Sequence, residues 1–140
     1  MKTNKILLGG LAGGVAFFFL GWIVYGMFLM DFMMANQNQC AMRPMEEMIW
    51  WSLIVSNIIW AFAYAVIFSW GNITGFVNGL KSGAILGLLI GASIDLSFYS
   101  MSTMFNSLTV VCVDVLATTV MSAIGGGIIA QVMGMGKKEA

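Results

Sequence analysis

The stretch Ser82–Met101, SGAILGLLIGASIDLSFYSM, contains a single charged residue, Asp95. A helix needs roughly 20 predominantly apolar residues to cross the hydrocarbon core of a bilayer. The strict alternation of apolar and polar residues that is typical of a membrane β-strand is absent. Because backbone groups in lipid must form their hydrogen bonds within the segment, this stretch predicts a membrane-spanning helix.

Three further apolar runs resemble it in length. The predicted spans cover approximately residues 6–30, 48–70, 82–101 and 108–133. Of the 140 residues, 60% are hydrophobic and 9% are charged, whereas a soluble domain carries about 25% charged residues. We therefore predict an all-α fold with one domain over residues 1–140: an integral membrane bundle of four transmembrane helices that needs no cofactor and is not an enzyme.

The basic residues predict the orientation of this bundle. Five of them fall at one end of a four-span bundle and Arg43 at the other; the five are Lys2, Lys5, Lys81, Lys137 and Lys138. Cytoplasmic segments carry an excess of Lys and Arg. We expect both termini in the cytoplasm and the chain in a bacterial inner (plasma) membrane. The formal net charge of zero gives no reason to expect nucleic-acid binding.

Two intramembrane aspartates stand at matching distances from the turn between the third and fourth spans. Asp95 lies nine or ten residues before the middle of that turn, near residues 104–105, and Asp114 lies nine or ten after it. At 1.5 Å per residue both would lie roughly 10–15 Å from the membrane surface. Tyr25 and Asn57 reach a similar depth, so we predict a polar layer of these four side chains.

The pair of acids suggests a function. Two facing carboxylates in a bilayer, with no Lys or Arg in the spans beside them, cannot both stay ionised easily, so one or both hold a proton near neutral pH. Intramembrane acids are functional by default, which favours proton or small-cation transport or a channel, with Asp95, Asp114, Asn57 and Tyr25 as the candidate residues. Alternatively, a protonated aspartate only joins helices, at about 0.6 kcal/mol per bond, in a non-catalytic accessory subunit of a larger membrane complex.

Sulfur-containing side chains supply another hypothesis. The chain has 13 methionines, several at MxxM spacing in the first outer loop and its flanks, and Cys40 lies in that loop. Thioether and thiolate ligands select Cu(I), so Cys40, Met30 and Met45 are candidate ligands for soft-metal handling. Methionine also fills irregular apolar gaps, and two cysteines define no zinc site.

Glycines recur at helical spacing in three spans. They are Gly9, Gly10, Gly13 and Gly14 in the first, Gly83, Gly87 and Gly91 in the third, and Gly125, Gly126 and Gly127 in the fourth. Small residues let membrane helices approach closely. These faces therefore predict tight helix packing, with a homo-oligomer or other membrane subunits as expected partners beside the lipid bilayer.

Two segments carry a resemblance to a known family. FFFLGWIVYGMFL (17–29) and VDVLATTVMSAIGGGIIAQVM (113–133) resemble the first and last spans of a family of small bacterial four-helix inner-membrane proteins of unknown function. Gly21, Trp22, Tyr25, Asp114 and Gly125 would occupy its Gly-aromatic-Tyr stretch and its acid followed by a glycine-bearing helix. The resemblance covers two of four spans. It implies a four-helix integral membrane fold and supplies no activity.

Overall fold

The computed structural model describes residues 3–38, 40 and 42–135, and not the side chain of Met45. The elements are α1 (Thr3–Ile23), a π-helical turn (Val24–Phe28), α2 (Met30–Asn36), a 3-10 turn (Met45–Glu47), α3 (Trp50–Trp70), α4 (Phe76–Met101) and α5 (Leu108–Gly134). The predicted all-α fold is confirmed. Lys2, Lys137 and Lys138, on which the predicted orientation partly rests, lie outside the described residues.

Four helical segments of the described chain are long and apolar enough to cross a membrane: Thr3–Phe28, Trp50–Trp70, Phe76–Met101 and Leu108–Gly134. The third begins at Phe76 rather than at residue 82, because the chain turns at Gly75, whose φ is 87°. The backbone N–H of Phe76 then donates to the side-chain carbonyl of Gln131 at 3.1 Å. Lys81 consequently lies inside α4 and not in the preceding loop.

The glycines of α4 bring its backbone against α5. A Cβ atom at Gly83 would overlap the carbonyl oxygen of Ser122, and one at Gly79 would overlap that of Gly126. Since nothing larger than hydrogen fits at these two positions, the glycine spacing fixes which face of α4 meets α5.

The glycines of α1 have the same role toward other helices of the chain. A Cβ atom at Gly10 would meet the ring of Phe62, and one at Gly14 would meet Ile58, both on α3. Gly9 faces Met133 of α5. The glycine faces of α1 and α4 are thus occupied within one chain, so they are not free for a second copy. The predicted oligomer remains a prediction without that support.

Two groups of buried side chains lie at opposite ends of the bundle. The end with the start of α1 and the end of α5 is called the terminal end, and the end with α2 and the α4–α5 turn is called the loop end. The terminal core comprises Phe17, Ala61, Tyr64, Ala65, Phe68, Ile129, Ala130 and Met133. The smaller loop-end cluster comprises Met33, Phe105, Val110 and Val111.

Candidate functional site

Tyr25 and Asp114 form a direct link between the π-helical turn that follows α1 and helix α5. The Tyr25 hydroxyl donates a hydrogen bond to Asp114 Oδ1 and lies 3.4 Å from Thr118 Oγ1. Tyr25 stands in the π-helical turn, which is closed by a bond from the Leu29 N–H to the Val24 carbonyl at 2.8 Å. Such π turns within membrane or soluble helices are frequent at functional sites, and this one carries a side chain into the bundle.

Asp95 approaches the same place from α4. It follows Gly91 by four residues, and therefore lies on the face of α4 that the glycines press against α5. Its side chain is 8% exposed, and its Oδ2 atom is buried without a hydrogen-bond partner among the described residues. The carboxyl group of Asp95 neighbours that of Asp114.

Three of the four predicted residues therefore meet where α1, α4 and α5 come together. We call Tyr25, Asp95 and Asp114 the carboxyl cluster. Tyr25 and Asp114 are half-buried, and Asp95 is buried. Of the basic residues that the structure describes, Lys5 and Lys81 lie toward the terminal end, and Arg43 is exposed in the α2–α3 loop outside the spans.

Asn57, the fourth predicted residue, does not join them. Its side-chain amide donates to the carbonyl of Leu53 at 2.8 Å, within its own helix, as polar side chains in helices often do. The structure shows no bond from Asn57 to the other three residues among those it describes, so the placement of Asn57 in the polar layer stays a prediction. Residue counting predicts its depth but not the side of α3 on which it stands, and α3 packs mainly against α1.

The α5 helix adds hydroxyl groups that were not among the candidate residues. Thr118 lies one turn after Asp114, and Ser122 lies one turn further on the same face. The Tyr64 hydroxyl donates to Ser122 Oγ at 3.0 Å, and both residues are 1% exposed. The four-residue spacing from Asp114 is the sequence signal for Thr118 and Ser122. Tyr64 carries no such signal, because an aromatic residue within a span usually indicates packing.

The candidate copper ligands lie near the loop end. Met30 is half-buried at the start of α2, and Cys40 is exposed with a free thiol; the side chain of Met45 lies outside the described residues. Nearby, Met33 is 6% exposed and fills the loop-end cluster with Phe105. At least this methionine has the packing role that is common for the residue, while soft-metal binding stays a prediction.

No protein-family model, curated protein or solved structure matches this chain. The resemblance to small bacterial four-helix membrane proteins is therefore not supported by a family match, although four helices able to span a membrane are present.

Proposed function

We propose that this chain is a small polytopic membrane protein that binds and transfers protons at the carboxyl cluster. One observation carries the proposal: a buried Asp95 oxygen without a hydrogen-bond partner beside Asp114, which already accepts a bond from Tyr25. A buried polar atom that lacks a partner is costly, so the site favours a state in which another proton is present.

The proposal also assigns a place to that proton. Tyr25 already supplies Asp114 with a hydrogen-bond donor, whereas Asp95 has a buried oxygen without a partner, so we place the proton on Asp95. Asp95 then carries the proton and can donate it to Asp114. The pair holds one negative charge instead of two, and both donors point to the ionised group, which suits a site of low dielectric.

The ligand types favour a proton over a metal cation. Among the described residues, no group of three or more His, Cys, Asp or Glu side chains could hold a metal ion. The Tyr25 hydroxyl presents its hydrogen, not a lone pair, toward Asp114. A small monovalent cation such as Na⁺ is the competing ligand and is included in the test below.

The proposed location is the bacterial inner membrane with both termini cytoplasmic. Its support is the distribution of basic residues in the sequence, because Lys5 and Lys81 belong to the terminal end and Arg43 lies in the α2–α3 loop. Excess positive charge marks the cytoplasmic side of membrane proteins.

Proton flux into liposomes tests the proposal. The purified chain is reconstituted with an entrapped pH indicator, and a membrane potential drives proton entry, with and without a Na⁺ gradient. Asp95→Asn and Asp114→Asn should each reduce flux to the level of empty liposomes, since each removes one of the two carboxyl groups. Glu46→Gln, which changes an exposed acid outside the spans, serves as the control and should leave flux unchanged.

Other outcomes distinguish the alternatives. Wild-type flux at the level of empty liposomes contradicts the proposal, and a stable chain that then co-purifies with a larger membrane complex indicates an accessory subunit. Flux of Na⁺ without protons indicates a cation site. Retention of Cu(I) after anaerobic loading, lost in Met30→Leu or Met45→Leu, indicates soft-metal handling instead.

A further inference from the structure

We infer that, in the conformation that the structure shows, the carboxyl cluster exchanges protons with water through the loop end, and that a short cap controls this exchange. The cap consists of residues 30–38, which include α2, and residues 102–107, which form the α4–α5 turn. This inference rests on the proposed function, because it concerns the proton that the carboxyl cluster is proposed to hold.

The cap lies directly over the cluster. Met33 of α2 and Phe105 of the turn are 6% and 4% exposed, and they pack on Val110 and Val111 at the start of α5. Tyr25 packs against the same group of side chains. The loop-end cluster is thus the apolar seal between the carboxyl cluster and the nearer membrane surface.

Hydrogen bonds between two short segments hold the cap together. The two parts are joined by backbone bonds from Asn38 N–H to the Met104 carbonyl at 2.9 Å and from Asn106 N–H to the Asn36 carbonyl at 3.1 Å. An exposed side-chain bond from Asn38 to Thr103 Oγ1, 3.1 Å long, adds to them. Short segments at the end of a bundle open locally more readily than its core helices.

The terminal end is closed in a different way. The hydroxyl groups that continue from Asp114 along α5 end at the bond between Ser122 and Tyr64. Beyond them lie Phe68, Ile129 and Met133, each 0% exposed. Water could reach the carboxyl cluster from that end only if the terminal core separated, which involves three spans and not one short helix.

Hydrogen–deuterium exchange of the Asp95 carboxyl group tests the inference without a transport measurement. The carbonyl stretch of a protonated carboxylic acid is observed by infrared spectroscopy in liposomes moved into D₂O, and is assigned by its loss in Asp95→Asn. The cap is locked by a disulfide in Asn38→Cys/Thr103→Cys, in a background of Cys40→Ser and Cys112→Ala that removes both free thiols. The same protein after reduction is the matched control.

In the oxidised protein the Asp95 carboxyl group should exchange at least about tenfold more slowly than in the reduced protein, because exchange then requires opening of a crosslinked segment. Phe105→Ala, which removes part of the apolar seal, should exchange faster than wild type. If the disulfide does not form, this variant alone tests whether the cap controls exchange. Tyr64→Phe, which interrupts the hydroxyl groups toward the terminal end, should exchange at the wild-type rate.

Two results would overturn the inference and leave the proposed function intact: wild-type exchange rates in both the oxidised lock and Phe105→Ala, or altered exchange in Tyr64→Phe. Absence of an Asp95 carboxylic acid band in the wild-type protein would overturn the proposed function, and the inference with it.

Discussion

An aspartate inside an apolar span requires a compensating environment, since its insertion costs roughly 2.5–3.5 kcal/mol. Asp95 finds this environment because it continues the glycine series of α4 by one more turn, so it faces α5 and not lipid. Asp114 is only half-buried and depends on the hydroxyl of Tyr25. At this scale the site consists of three side chains from three helical segments, and Tyr25 is the residue that supplies Asp114 with a hydrogen-bond donor.

Removal of the Tyr25 hydroxyl should therefore destabilise the carboxyl cluster, although it deletes only one oxygen atom. Tyr25→Phe keeps the ring and deletes the donor to Asp114, so we expect a loss of about 1 kcal/mol in stability and reduced proton flux. Tyr99→Phe, at an exposed position of α4 (41% exposed), is the matched control. Unfolding in detergent measures the stability, and equal behaviour of the two variants would contradict the assigned role of Tyr25.

At the scale of elements, the start of α4 is a helix boundary that the sequence predicts incorrectly. Gly79 and Lys81 resemble loop residues, so the sequence predicts that the third span begins at residue 82. In the structure the helix starts at Phe76, and Gly79 is required inside it because the α5 backbone at Gly126 leaves no room for a side chain. The same residue type that marks a turn in a sequence can mark close helix packing, and only the position of α5 decides which applies.

Close packing of α4 on α5 makes a sharp prediction about two glycines. Gly83→Ala places a methyl group on the Ser122 carbonyl oxygen and should destabilise the bundle by about 1–3 kcal/mol through overpacking. Gly21→Ala is the matched control, because its Cβ atom would meet only the Met121 Cε atom, at 3.7 Å. Thermal unfolding in detergent compares them, and an unchanged midpoint for Gly83→Ala would show that the two helices are not in contact at this point.

For the whole molecule, the sequence predicted the features that depend on distance along the chain. Apolar run length gave the four spans, and counting from the turn gave Asp95 and Asp114 a common depth. Counting along the chain does not predict which side of a helix a residue faces, and it does not predict contacts between distant segments. Asn57 bonds within α3, and the cap joins residues 36–38 to residues 103–106 without any signal in either segment.

The orientation of the whole bundle gives a final prediction, since four spans place both termini on the same side and the α2–α3 loop on the other. Cys40 is exposed and free in that loop, so in a Cys112→Ala background a membrane-impermeant maleimide should label it in intact bacterial cells. Asn78→Cys, at an exposed position near the start of α4, in a Cys40→Ser/Cys112→Ala background, should be labelled only after lysis. The reverse pattern would mean that the basic residues do not mark the cytoplasmic end, and labelling of both thiols from the same side would contradict the four-span arrangement itself.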